Sequence, residues 1–288
     1  MASYKGADII VDYLVREKVP YAVGVCGHGI IGFLDGLYRR QDEIKTISVH
    51  HEQAAAHIAD AYYRVSGNPL ATFTSCGPGS ANLAMAVACA MLDSSAIYLV
   101  TGNVPTDQFN RGAFQETYRH FQGEFPAVLR PYVKRAYQPL RADMLPFAVR
   151  DAYREMMNGR PGPVLLDVPL NVFVEETEAD LPDPADWRKG LNNAPAGNVE
   201  AVGEALSMLL KAERPLILAG HGLMSANGSN ELCTRAEGLG IPVVSTPMGK
   251  GVMDERHPLC LGPVGRNGAY QANEAARNCD VLLALGTR

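Results

Sequence analysis

SVHHEQAAAHIADAYYRVSG, from Ser48 to Gly67, ends a short apolar strand on two histidines and a glutamate and runs directly into an alanine-rich helix. A strand joined to a helix within two or three residues is the basic joint of an α/β fold. The same joint recurs on both sides. YAVGVCG, IKTISVH, LATFTSCG, AIYLVTGN and GPVLLDVP read as buried parallel strands. Between them, IIGFLDGLYRR, EQAAAHIADAYYRVSG, SANLAMAVACAMLDS and DMLPFAVRDAYREMMNG carry apolar residues at helical spacing. The alternation predicts an α/β domain with a doubly wound parallel sheet over residues 1–170.

After Pro169 the pattern lapses into EETEADLPDPADWRKGLNNAPAGN, rich in acid, proline and asparagine, and residues 171–198 read as a linker. A second unit over 199–288 follows, with strands RPLILAG, IPVVSTP and DVLLALGTR and helices around NELCTRAEGLG and YQANEAARN. Three strands in about 90 residues make a thin sheet. The expectation is a Rossmann-like central α/β domain that is incomplete in this sequence.

Composition narrows the function. The chain has 288 residues, 47% hydrophobic and 20% charged, with a net charge of -5, and its lysines and arginines are scattered, which argues against a nucleic-acid surface. No run of about 18 apolar residues suggests a membrane span, and the start MASYKGADII lacks a signal-peptide layout, so a cytoplasmic protein is expected. The six cysteines form no C-x-x-C pair and the seven histidines no H-E-x-x-H, so no protein-held metal is expected here.

Four segments carry candidate chemistry. Gly27-His28-Gly29-Ile30-Ile31-Gly32 fits G-x-G-x-x-G after a strand, and Glu52 lies where a ribose-binding acid would follow; this favours a nicotinamide dehydrogenase, or else a tight turn. Glu52, however, opens a helix rather than closing a strand. Ala55, Ala56 and Ala59 suit close approach of a second subunit, where a carboxylate would be desolvated; the alternative is a first-turn glutamate on the helix dipole. In TSCGPGSAN, Thr74 to Asn82, Gly77 and Gly79 let a backbone approach a ligand, while Cys76 reads as a small buried residue. RGAFQETYRH, Arg111 to His120, offers Phe114 and Gln115 for substrate contact, or is a plain surface loop.

Taken in this order, HHEQAAAHIADAYYRVSG, TSCGPGSANLAMAVACAMLDSSAIYLVTGNVP, GAFQE, GRPGPVLLDVPLNV, STPMGKGVMDERHPLCLG and DVLLALGTR resemble the thiamine-diphosphate enzymes of the acetolactate synthase, pyruvate oxidase and decarboxylase superfamily. The resemblance covers the whole chain and displaces the dehydrogenase reading. It implies a domain that grips the aminopyrimidine ring of thiamine diphosphate. In the family, a glutamate bonded to a ring nitrogen favours the imino tautomer, which removes the thiazolium C2 proton before a 2-keto acid is decarboxylated. Glu52 matches that glutamate. Gly77 and Pro78 match the turn lining the ring, Asn82 the asparagine of the next helix, and Gln115 the substrate-facing glutamine of F-Q-E.

Two departures stand out. His28 replaces a glycine of the acetolactate synthases, so Gly27-His28 faces the thiazolium with a group able to act as acid, base or donor; a turn histidine bonded to backbone is the alternative. Acetolactate as product is thereby in doubt, and a hydrolase or lyase acting on cyclic or other carbonyls stays open. The G-D-G motif that holds diphosphate and Mg2+ is absent, and Asn192-Asn193 does not match the family's paired asparagines. A carboxy-terminal domain or a second subunit is expected to supply that half. The resemblance further implies a homodimer or dimer of dimers. Met248-Gly249-Lys250-Gly251 resembles a flavin-lining segment, which admits FAD, although several relatives keep that domain empty. A noncatalytic partner subunit is the alternative function.

Overall fold

The computed structural model describes residues 2–112, 115, 124–189 and 196–287; Phe114 and the Asn192-Asn193 pair lie outside them. The chain divides into two compact units, Met1–Asn193 and Ala194–Arg288.

The first unit begins with β1 (Ala2–Lys5) and α1 (Gly6–Arg16). Then come β2 (Tyr21–Gly24), α2 (Ile31–Arg39), β3 (Lys45–Ser48), α3 (Glu52–Ser66), β4 (Leu70–Thr74), α4 (Pro78–Ala81), α5 (Ala84–Asp93) and β5 (Ile97–Asn103). The unit continues with α6 (Pro126–Leu129), β6 (Arg135–Tyr137), α7 (Leu145–Met157), β7 (Val164–Pro169), α8 (Leu170–Val174), β8 (Glu176–Ala179) and α9 (Pro184–Arg188). Six strands form one parallel sheet in the order β3-β2-β4-β5-β7-β6. Every position of β4, β5 and β7 is buried, which is why these strands read as continuous apolar runs.

Helices cover both faces, each over its own core. Tyr13, Phe33, Phe73, Tyr98 and Phe173 fill one. The other is built from small residues: Ala55, Ala56 and Ala59 of α3 lie against Val87 and Ala90 of α5. The alanine stripe expected at a subunit interface is therefore used inside the unit, where small side chains let the two helices approach closely.

Residues 176–188, within the stretch read as linker, form β8 and α9. β8 pairs antiparallel with β1, and Trp187 Nε1 donates to Glu17 Oε1 at 2.8 Å while Arg188 pairs with the same buried carboxylate. Burial holds the Glu17 carboxyl above its ordinary range, against the pull of those donors. Trp187→Phe keeps an aromatic six-membered ring but loses the fused pyrrole ring and with it one donor to Glu17. It is expected to lower the unfolding free energy by about 1 to 2 kcal/mol, read from urea denaturation of the whole protein.

The second unit carries α10 (Val199–Lys211), β9 (Pro215–Ala219), α11 (His221–Ser225), α12 (Ser229–Leu239), β10 (Val243–Ser245), β11 (Cys260–Pro263), α13 (Tyr270–Asn278) and β12 (Val281–Leu285). Its parallel sheet runs β11-β10-β9-β12, four strands where three were expected. β11 escaped notice because CLGP is short, half-buried, and contains a proline and a glycine at φ +86°.

In the first sheet β3 lies on one side of β2 and β4 on the other, so the winding reverses between β2 and β4. In open α/β sheets, ligands occupy the crevice beyond the carboxyl ends of the strands at such a reversal. The turns after β2, β3 and β4 all open there.

Candidate active site

Glu52 is the first residue of α3. His51 caps the helix, its Nδ1 accepting from Gln53 N at 3.2 Å, so one of the paired histidines has a structural task. The half-buried Glu52 side chain meets the turn after β4: Asn82 Nδ2 donates to Glu52 Oε2 at 2.9 Å. Its other oxygen lies beside Gly79, where an added Cβ would stand 3.0 Å from Oε1. One oxygen is thus fixed by a donor while the other sits over a position kept clear of a side chain.

That turn is the hub of the site. Gly77 holds φ +62° and ψ −118°, a backbone that side chains disfavour, and Pro78 starts the short α4. Ser80 Oγ is 2.9 Å from Thr74 Oγ1 and bonds Ser75 O, tying the turn back onto its strand. The glycines of Gly27-x-Gly29 are explained by packing on this hub. A Cβ at Gly27 would come within 2.6 Å of Ser75 Cβ, and one at Gly29 within 3.0 Å of Cys76. Gly29 N donates to Ser75 Oγ at 3.2 Å, and Gly32 packs on Phe173. His28 opens the intervening 3-10 turn with its side chain exposed and no partner among the described residues.

Cys76 is buried and donates its S–H to Gln115 Oε1 at 3.3 Å. Burial, and after it the Asp167 carboxylate, push the Cys76 thiol up. Asp167 itself is wholly buried on β7, opposite Thr101 of β5. It accepts from Thr101 Oγ1 at 2.7 Å, Asn103 Nδ2 at 2.8 Å and Gln138 Nε2 at 2.8 Å. Burial raises its carboxyl to about 6 despite those three donors. The structure thus joins Glu52, Asn82 and Gly79 directly, Gly27 with Ser75, and Cys76 with Gln115, all through the segment from Thr74 to Asn82.

Asp167 and Ser75 were not foreseen. Asp167 is a lone acid inside the apolar run VLLDVP, and that was the one available signal: an isolated carboxylate in a fully buried strand must find donors.

A carboxylate beside a side-chain-free turn at the winding reversal fits a flat nitrogen heterocycle. Among the described residues no group of three or more His, Cys, Asp or Glu could hold a metal ion.

Residues 4–122 match the family described as thiamine pyrophosphate enzyme, N-terminal TPP binding domain, and residues 202–288 match the thiamine pyrophosphate enzyme central domain. The chain belongs to the thiamine-diphosphate enzymes of the acetolactate synthase and pyruvate oxidase superfamily. It is 38% identical over 287 residues to a probable acetolactate synthase large subunit of Methanocaldococcus jannaschii, covering 99% of this chain and 47% of that protein. It is 37% identical to one from Methanococcus aeolicus, over 98% of this chain and 46% of that protein. An acetolactate synthase of Arthrospira platensis is 36% identical, over 98% and 49%. The chain spans about half the length of these relatives.

Proposed function

We propose that this chain forms the pyrimidine-gripping half of a thiamine-diphosphate-dependent carbon-carbon lyase or ligase acting on a 2-keto acid or a related carbonyl. The observation that carries the reading is Glu52, set by Asn82 at the start of α3 with its second oxygen over Gly79. When bound, thiamine diphosphate supplies a carbon nucleophile and an electron sink. Glu52 holds or releases the proton at a ring nitrogen, and Asn82 fixes the carboxylate that does so. Gly77, Pro78 and Gly27 line the ring. His28, exposed and without a side-chain partner among the described residues, serves as acid, base or donor toward the substrate. Gln115 contacts the substrate. The departure at His28 leaves decarboxylation, hydrolysis and acetolactate formation as competing outcomes.

Mg2+ and the diphosphate are assigned to a further domain or a second subunit, in keeping with relatives about twice as long. Residues 1–170, with β8 and α9 of the following stretch packed onto them, form the pyrimidine domain, the remainder of 171–198 the connection, and 199–288 the central domain, which FAD fills or leaves empty. The working assembly is a homodimer or dimer of dimers in the cytoplasm. Supporting it, Ile58 and Val65 of α3 and Met85 and Leu92 of α5 are exposed apolar residues on the helices that carry or follow the site. No helix among the described residues is long and apolar enough to cross a membrane.

The test is native mass spectrometry of the protein as purified, with small molecules identified after denaturation. A dimeric mass with thiamine diphosphate released on unfolding is expected. A monomer without cofactor at micromolar concentration, even after adding thiamine diphosphate and Mg2+, would favour the noncatalytic partner subunit.

A further inference from the structure

Cys76 and Gln115 lie 39 residues apart and are joined by one hydrogen bond from the buried thiol to Oε1. Gln115 adopts φ +68°, a conformation a residue with a Cβ rarely takes.

A carboxamide presents two different ends: its oxygen accepts and its N–H2 donates. When the thiol occupies the oxygen, the N–H2 is the end that a ligand can meet. We propose that Cys76 is a positioning residue for Gln115: by donating its S–H to Oε1, it turns the amide N–H2 toward the substrate, so that Gln115 donates to a carboxylate or carbonyl oxygen. The proposal rests on the reading of Gln115 as the substrate-contacting residue of a keto-acid enzyme.

The surroundings of Cys76 favour the protonated thiol that this arrangement needs. Asp167, from β7, is the titratable group that acts on it; Ser75 beside it and Gly29 from the turn after β2 carry no charge. Burial and the Asp167 carboxylate both raise the thiol, and the Ser75 hydroxyl opposes them. A thiolate could only accept. The amide would then turn over and present its oxygen to an anionic keto acid, which it would repel. The buried carboxylate of Asp167, costly to keep ionised, thus helps hold the thiol in the state that orients the glutamine.

Two measurements on the holoenzyme test this. In the first, with pyruvate as the 2-keto acid probe, Cys76→Ala is expected to raise KM about tenfold with kcat changed less than about twofold, the size of one lost hydrogen bond. Cys76→Ser, which keeps a donor, is expected to stay within about threefold of wild type. Equal behaviour of the Ala and Ser variants would overturn the proposal.

The second measurement needs no turnover: the pH midpoint of Cys76 alkylation by iodoacetamide, resolved by peptide mass spectrometry. Gln115→Met is similar in size but apolar. Losing an acceptor destabilises the thiol, so this variant should lower the midpoint by about half a unit or more. Asp167→Asn should lower it as well. A midpoint that rises in Gln115→Met would mean that the amide nitrogen, not its oxygen, faces the sulfur, and one that stays would mean that neither end does; either would overturn the proposal alone. A lowered midpoint with an unchanged KM in Gln115→Met would instead overturn the assignment of Gln115 to substrate, and the proposal with it.

Discussion

Glu52→Gln in the complete, cofactor-loaded enzyme is expected to lower turnover roughly a hundredfold to a thousandfold, the range of a positioned proton-transfer group. Glutamine matches glutamate in length and can still accept from Asn82 at the 2.9 Å contact. It also leaves the space over Gly79 unfilled. What it removes is the ability to hold and release a proton. The loss should appear in kcat, with the KM for substrate changed by a small factor, because Glu52 is assigned to the cofactor ring rather than to the keto acid. Turnover within about threefold of wild type would remove Glu52 from the mechanism.

The second large effect is on stability, and its sign depends on pH. Asp167 rises from 3.8 to about 6 on folding because burial disfavours its charge. Over that window the folded chain binds the proton that the unfolded chain has released, so stability falls as pH rises from about 4 to about 6. Above that window the ionised group costs a constant amount, about 3 kcal/mol for a shift of this size. Asp167→Asn is expected to be more stable than wild type by about that amount at pH 7, the gap closing below about pH 4. Asparagine can keep all three partners: its oxygen accepts from Asn103 and Gln138, and its N–H2 donates to Thr101 Oγ1. Urea unfolding of both proteins across the range checks it. A variant less stable than wild type at pH 7 would show that the carboxylate stabilises the fold despite its burial.

The central strands were legible because burial on both faces makes β4, β5 and β7 apolar at every position. β6 and β11 were not, since three or four residues at a sheet edge carry no period. β8 and α9 hid in a stretch whose acid and proline content reads as linker; what anchors them is Trp187, whose partner Glu17 lies 170 residues away. Local composition cannot reveal such a pair.

At the site, Glu52, Gly77, Pro78 and Asn82 stood out by motif. The Asn82 to Glu52 hydrogen bond did not, because it spans 30 residues and exists only where two turns meet at the winding reversal. The alanines of α3 were visible as a stripe, yet sequence alone does not say which neighbour they face; it is α5. The G-x-G-x-x-G pattern was equally visible and equally ambiguous. Its glycines make room for Ser75, Cys76 and Phe173, a packing demand that a nucleotide-binding turn would satisfy with the same letters.

The central claim is that the Glu52 carboxylate controls a proton on the bound cofactor. The most direct measurement is the exchange rate of the thiamine diphosphate C2 proton with deuterated water, followed by quenched-flow NMR in the complete enzyme and in Glu52→Gln. Exchange slowed roughly a hundredfold or more in the variant, with cofactor still bound, is the predicted result. Exchange at the wild-type rate would contradict the account.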